Sequence, residues 1–134
     1  MNEEVKAKLL NEMESYFGKD KRRIEHARRV LGHAEDILKG EAANGANKTV
    51  VTAAAILHDI GIHACEKKYG LTLGNLQEKE GPPIARRIME KLNFEEKIIK
   101  EVCDIIASHH SPGEVNTSNF RVLYEADRLV NLEA

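Results

Sequence analysis

Thr49-Val50-Val51-Thr52-Ala53-Ala54-Ala55-Ile56-Leu57-His58-Asp59-Ile60-Gly61 is the stretch on which the fold turns. Val50, Val51, Ala53, Ala54, Ala55, Ile56 and Leu57 leave a helix here no polar face. A helix that is apolar all round in a soluble protein is a central, buried one. The run from Thr49 to about Ile60 is longer than a typical buried strand, which favours a helix. Gly61 fits the helix stop. His58 and Asp59 come at the end of this most apolar segment, where burial without partners is costly.

Working outward, the flanking segments repeat the helical period. Toward the N-terminus, Val5, Leu9, Leu10, Met13 and Phe17 mark a first helix over about Glu3 to Phe17, closed by Gly18. Asp20 can cap a second helix that runs to about Lys39, with Ile24, Val30, Leu31, Ile37 and Leu38 inward. Gly40, Asn44 and Gly45 mark a loop. Toward the C-terminus, Gly70 to Gly81 holds three glycines and reads as an irregular crossing with short helical turns. Pro82 and Pro83 fit the first turn of a fourth helix, continued by Ile84, Ala85, Ile88, Met89 and Leu92. Phe94 to about His109 reads as a fifth, and Pro112-Gly113 breaks the chain. Asn119 to about Leu132 reads as a last helix. No segment alternates as a strand would. The expectation is an all-α, single-domain bundle of five to six helices over residues 1–134, with a core at 20–132 and an N-terminal helix, 1–18, packed on it.

Composition agrees. A chain of 134 residues with 42% hydrophobic residues suits one globular core. Its 20 basic and 22 acidic side chains nearly cancel, which gives no case for nucleic-acid or membrane binding through bulk charge. The absence of Trp argues against stacking platforms for single strands. Two cysteines, Cys65 and Cys103, make no disulfide framework. With the charged, signal-free N-terminus, they point to a reduced, cytoplasmic setting.

Chemistry-bearing residues fall on several helices. An adjacent His-Asp pair can simply cap a helix C-terminus and meet a surface arginine; a metal ion is the other partner that satisfies both. Imidazole with carboxylate suits Zn, Fe, Mn, Co or Ni, and leaves Mg open. His26 lies on the second helix, on a face with Arg22, Arg29 and His33. Asp127 lies on the last, flanked by Leu123, Ala126 and Val130. His109 and His110 close the fifth. Bundles build metal sites from such facing side chains, and the partly negative ends of two helices favour a cation between them.

The sequence resembles the HD superfamily of metal-dependent phosphohydrolases. The matching pieces are His26-Ala27-Arg28-Arg29-Val30, Ala53 to Gly61 with its His58-Asp59 doublet, Ile105 to His110, and Glu125-Ala126-Asp127-Arg128-Leu129-Val130. They come in the family's order. The resemblance implies that His26, His58, Asp59 and Asp127 hold a divalent metal. It also implies a second metal in some members, for which His109 matches one further histidine, with His110 as its substitute. Where the other histidine falls, this chain has Glu80. That carboxylate is either a second-metal ligand or a complement to the positive start of the fourth helix. Ile62 stands where many relatives carry Lys.

The implied activity is hydrolysis of a phosphoester, a nucleotide or other small phosphorylated molecule, with one or two divalent cations as cofactor. Asp59, His109 and His110 are the candidate catalytic residues. Arg22, Arg29 and Arg86 are the candidate phosphate-binding residues, with Arg22 preferred because it lies one turn before His26. His33, His63 and Cys65 complete no ligand set. No membrane partner is expected; specificity would come from the loop between Ala64 and Glu80, from the loop after Pro112, and from a partner subunit, a homodimer being an option. Two alternatives stay open. One is a weakly active regulatory module, motivated by Glu80 and Ile62; the other is a dimetal iron oxygenase on the same scaffold.

Overall fold

The computed structural model of the protein describes residues 1–40, 45–111 and 117–133. Asn44 of the first expected loop and the Pro112-Gly113 break lie outside the described residues. Among the described residues seven helices follow in order: α1 Glu3–Phe17, α2 Lys21–Leu38, α3 Lys48–Leu57, α4 Ile62–Tyr69, α5 Gly74–Lys91, α6 Glu96–Ile106 and α7 Ser118–Glu133. The expected all-helical bundle is what the chain forms, and no strand occurs among the described residues.

α3 is its axis. Every residue from Val50 to Leu57 is buried, and the helix packs against α1, α2, α6 and α7. Only a helix without a polar face can be surrounded in this way. Around it, α2 and α7 lie against each other, as do α5 and α6. α1 covers α3 with Leu9, Met13 and Phe17.

Side-chain caps define the starts. Asn2, Asp20 and Asn47 each accept a hydrogen bond from the backbone N–H three residues on. Asn47 thereby opens α3 at Lys48, just before the expected Thr49. α3 also ends earlier than expected, at Leu57. His58, Asp59 and Ile60 form a tightened turn in which Ile60 N–H donates to Leu57 O at 3.1 Å and Ile62 N–H to Asp59 O at 3.1 Å.

The largest departure from the sequence reading follows that turn. The segment expected as a loop is α4, which buries Ile62 and Cys65 and ends at Gly70, in the left-handed region at φ 74°. α5 then begins at Gly74, two turns before the expected Pro82, so both prolines lie inside it. They remove the donors that would serve the carbonyls of Glu78 and Lys79. Tertiary contact holds the early turns in place. A Cβ on Gly61 would stand 2.6 Å from Gly81 N, so the two backbones meet where no side chain fits.

Candidate metal centre

Four elements bring their ionisable side chains to one place. α2 contributes His26, the turn after α3 contributes His58 and Asp59, α7 contributes Asp127, and the turn after α6 contributes His109. His26 Nε2 lies 3.0 Å from Asp127 Oδ1, 3.3 Å from Asp59 Oδ2 and 3.4 Å from His58 Nε2. His58 Nε2 lies 3.4 Å from both Asp59 Oδ2 and Asp127 Oδ1. On the far side of Asp59, His109 Nε2 stands 3.4 Å from Oδ1.

The sequence dictates how two of these rings point. His58 Nδ1 donates to Ala55 O at 2.8 Å, and His109 Nδ1 donates to Ile106 O at 2.7 Å. Each ring is pinned to a carbonyl of its own helix end, three residues back. With Nδ1 donating, Nε2 is the atom turned toward the carboxylates, as it is turned toward the metal in a metal-ligating histidine. His109 Nε2 is buried and has no hydrogen-bond partner. A buried polar atom left without a partner costs about 1–3 kcal/mol, so an orphan facing a carboxylate calls for a cation.

Electrostatics say the same. Burial works against a charge on His58, yet Asp59 and Asp127 push it up to about 9. Burial likewise disfavours ionised Asp59, but His58, His109 and His26 hold its carboxyl far below the usual range. Asp127 is partly buried too, and hydrogen bonds from His26 and His58 hold it lower still. The pair of carboxylates demands positive charge at this point, supplied by a proton or by a metal.

The donor set fits a metal. A cation with nitrogen and oxygen ligands at about 2.1 Å keeps neighbouring ligand atoms roughly 3.0–3.4 Å apart. The five contacts around His26 and His58 run from 3.0 to 3.4 Å. His26, His58 and Asp59 offer ligand atoms within 4.8 Å of one another, and so do Asp59, His109 and His110. Asp127 joins the first group through His26 and His58.

The other expected site residues divide. Arg22 and Arg29 line a cleft of about 450 Å³ that opens onto His26, Asp59 and Asp127. Arg29 is tied to Glu133 at 2.7 Å. Arg86 does not reach the cleft; it pairs with Glu96 at 2.8 Å on the α5–α6 surface. Glu80 is not brought to the centre either. Its carboxylate accepts from Tyr69 Oη at 2.9 Å and from Lys68 Nζ at 3.4 Å, which hold it below its ordinary pKa. The metal-ligand reading of Glu80 finds no support in this geometry, nor does the phosphate-binding reading of Arg86. His33 pairs with Glu133, and His63 with Asp20.

Four cleft residues escaped the sequence reading: Arg23, Glu25, Gln77 and Asn131. Arg23 could have been found from its place beside Arg22 on the His26 helix. Gln77 carried no signal, because it falls in a stretch that reads as irregular.

A helical bundle that gathers imidazoles and carboxylates from separate helices, with their lone pairs aimed at one point, is a scaffold able to hold a divalent metal. The chain belongs to the HD domain family, which matches residues 23–132. Members of that family are mostly metal-dependent hydrolases, and HD domains bind divalent metals. No curated protein and no solved structure matches the chain. Among the described residues, no helix is long and apolar enough to cross a membrane.

Proposed function

We propose that the protein is a metal-dependent phosphohydrolase that cleaves a small phosphoester, a nucleotide or a comparable phosphorylated metabolite. The observation that supports it best is the convergence of His26, His58, Asp59 and Asp127, with His109 Nε2 buried beside Asp59 without a hydrogen-bond partner, next to a cleft whose lining includes Arg22, Arg23 and Arg29.

His26, His58, Asp59 and Asp127 would hold one cation. Asp59 Oδ1 with His109 and His110 would hold a second where the substrate requires it. When bound, a divalent cation supplies Lewis acidity, lowering the pKa of water and offsetting phosphoryl charge. The protein's own groups do the rest. Arg22 and Arg29 meet phosphate oxygens at the mouth of the cleft with charge-assisted hydrogen bonds. Asp59, with an oxygen toward each side of the centre, accepts a hydrogen bond from the attacking water and orients it. Where no second cation engages it, His110, at the rim, exchanges a proton with the departing oxygen. Phosphoryl transfer asks for little covalent work, so placement and charge carry the rate.

The test is phosphate release from a panel of nucleotides and simple phosphoesters, with Mn, Co, Ni, Mg, Fe or Zn added in turn. Metal per chain is counted by elemental analysis. Cation-dependent release that is lost in Asp59→Asn is the expected outcome. A chain that loads metal yet releases phosphate from nothing would instead be a metal-holding regulatory module. The placement of Glu80 against Tyr69 and Lys68, away from the centre, is what favours that second reading.

A further inference from the structure

His110 is held differently from the two histidines beside it. His58 and His109 donate through Nδ1 to their own helix ends, which leaves Nε2 free. His110 Nε2 instead faces the Gln77 side-chain oxygen at 3.0 Å. The orientation of that amide is settled by its other end, because Gln77 Nε2 donates to Thr72 O at 2.7 Å. A carbonyl can only accept, so the nitrogen of the amide faces Thr72 and the oxygen faces His110. An oxygen at 3.0 Å accepts, so the neutral ring carries its proton on Nε2 and its lone pair on Nδ1. That tautomer is the reverse of the one at His58 and His109.

The rest of the first turns of α5 clamp the same residue. Glu78 Oε2 accepts from the His110 backbone N–H at 3.0 Å, and Glu78 Oε1 accepts from Ser111 Oγ at 2.9 Å. Gly74 leaves room for the ring: a Cβ there would stand 2.8 Å from His110 Cβ. On its other side the ring lies against His109, with centroids 3.8 Å apart. Gly74, Gln77 and Glu78 are spaced i, i+3, i+4, on one face of the helix. Gln77 itself is only 8% exposed, although it borders the cleft. A buried amide with both ends engaged is a fixed part, and its loss would leave Thr72 O and His110 Nε2–H to water, which does not fix the ring.

We infer that Gln77 is a positioning residue: it locks His110 at the rim of the metal centre as the Nε2–H tautomer, so that Nδ1 is the basic nitrogen available there. The geometric claim stands on these contacts alone. Its catalytic consequence rests on the phosphohydrolase reading. A residue that orients a functional histidine is worth about 10–100-fold in activity when removed.

The experiment reads the tautomer directly. Long-range proton–nitrogen spectra of ring-labelled protein are recorded at about pH 8, where an ordinary histidine is neutral. His110 is assigned by comparison with His110→Gln. Wild type is expected to show His110 as Nε2–H. Gln77→Asn, which withdraws the amide oxygen by one methylene, is expected to show a mixture of tautomers. Gln77→Glu gives up the donor to Thr72 O but keeps an acceptor against the ring, and is expected to keep Nε2 protonated. In parallel, Gln77→Asn should lower kcat about 10–100-fold with KM unchanged, and Gln77→Glu should recover part of it. A His110 that is Nδ1–H in wild type, or unchanged in Gln77→Asn, overturns the inference whatever the activity does. If the tautomer shifts as expected but no variant, wild type included, hydrolyses any phosphoester, the positioning role stands and the phosphohydrolase reading fails.

Discussion

Removing the metal should reverse the way stability depends on pH, and the size of the effect can be worked from His58. Unfolded, this histidine titrates near 6.5; in the folded, metal-free chain, burial opposes its charge but Asp59 and Asp127 push it up to about 9. Between those values the folded chain holds a proton that the unfolded chain has released. Stability therefore falls as pH rises. It is fully present below 6.5 and lost as pH climbs through 9. At about 1.4 kcal/mol per pH unit, the loss over this window is about 3 kcal/mol. For a domain of this size that is roughly 10 °C in Tm. Asp59 and Asp127, held below the carboxylate range, add stability that is lost only in acid, outside the window. His110 is lowered, chiefly by burial, so its contribution declines only below 6.5. Bound metal demands neutral His58, so loading strengthens as pH rises and the slope should flatten or invert. Thermal melts at pH 6.5 and 9, with chelator and with Mn or Zn, measure both slopes. Chelated His58→Gln should lose the downward trend. Parallel slopes with and without metal would refute the reasoning, because proton and cation would then not be competing for one centre.

Other consequences follow from the same contacts. Asp127→Asn should weaken metal binding at least about tenfold by removing an anionic ligand, as followed by competition with a chromogenic chelator, whereas Glu80→Gln should leave it unchanged. A loss with Glu80→Gln would return that carboxylate to the centre. Arg22→Ala should raise KM about 10–100-fold with little change in kcat, since a charge-assisted hydrogen bond is worth about 1.5–3 kcal/mol; Arg86→Ala, paired with Glu96 away from the cleft, is the control. Gly61→Ala should cost about 1–3 kcal/mol in urea unfolding, because its Cβ would meet the backbone of Gly81 and the Gln77 carbonyl rather than a side chain that can move. A loss under about 0.5 kcal/mol would mean that α5 yields more easily than the contact suggests.

How much was legible beforehand depended on how local the cause was. The burial of α3 could be read from Val50 to Leu57 alone, because a helix without a polar face has nowhere to go but the interior. Asp20 announced the start of α2 through its own side chain. His58 and Asp59 stood out because ionisable groups at the end of such a helix require partners. His26 and Asp127 could be matched to them through the family's order of motifs, and the fold sets those side chains within 3.4 Å of His58.

What only the tertiary structure decided lies between residues 61 and 81. Glycines and prolines there read as breaks, because by themselves they disfavour helix. The close approach of Gly61 to Gly81 and the clamp on His110 supply the contacts that keep α5 helical from Gly74. The same packing turns Glu80 toward Tyr69 and brings Gln77 to the cleft instead. Periodicity is a property of neighbouring residues and can be read along a chain. Which face of a glycine-rich helix meets a distant histidine is set by the packing of residues some thirty positions apart, and exists only once the chain has closed on itself.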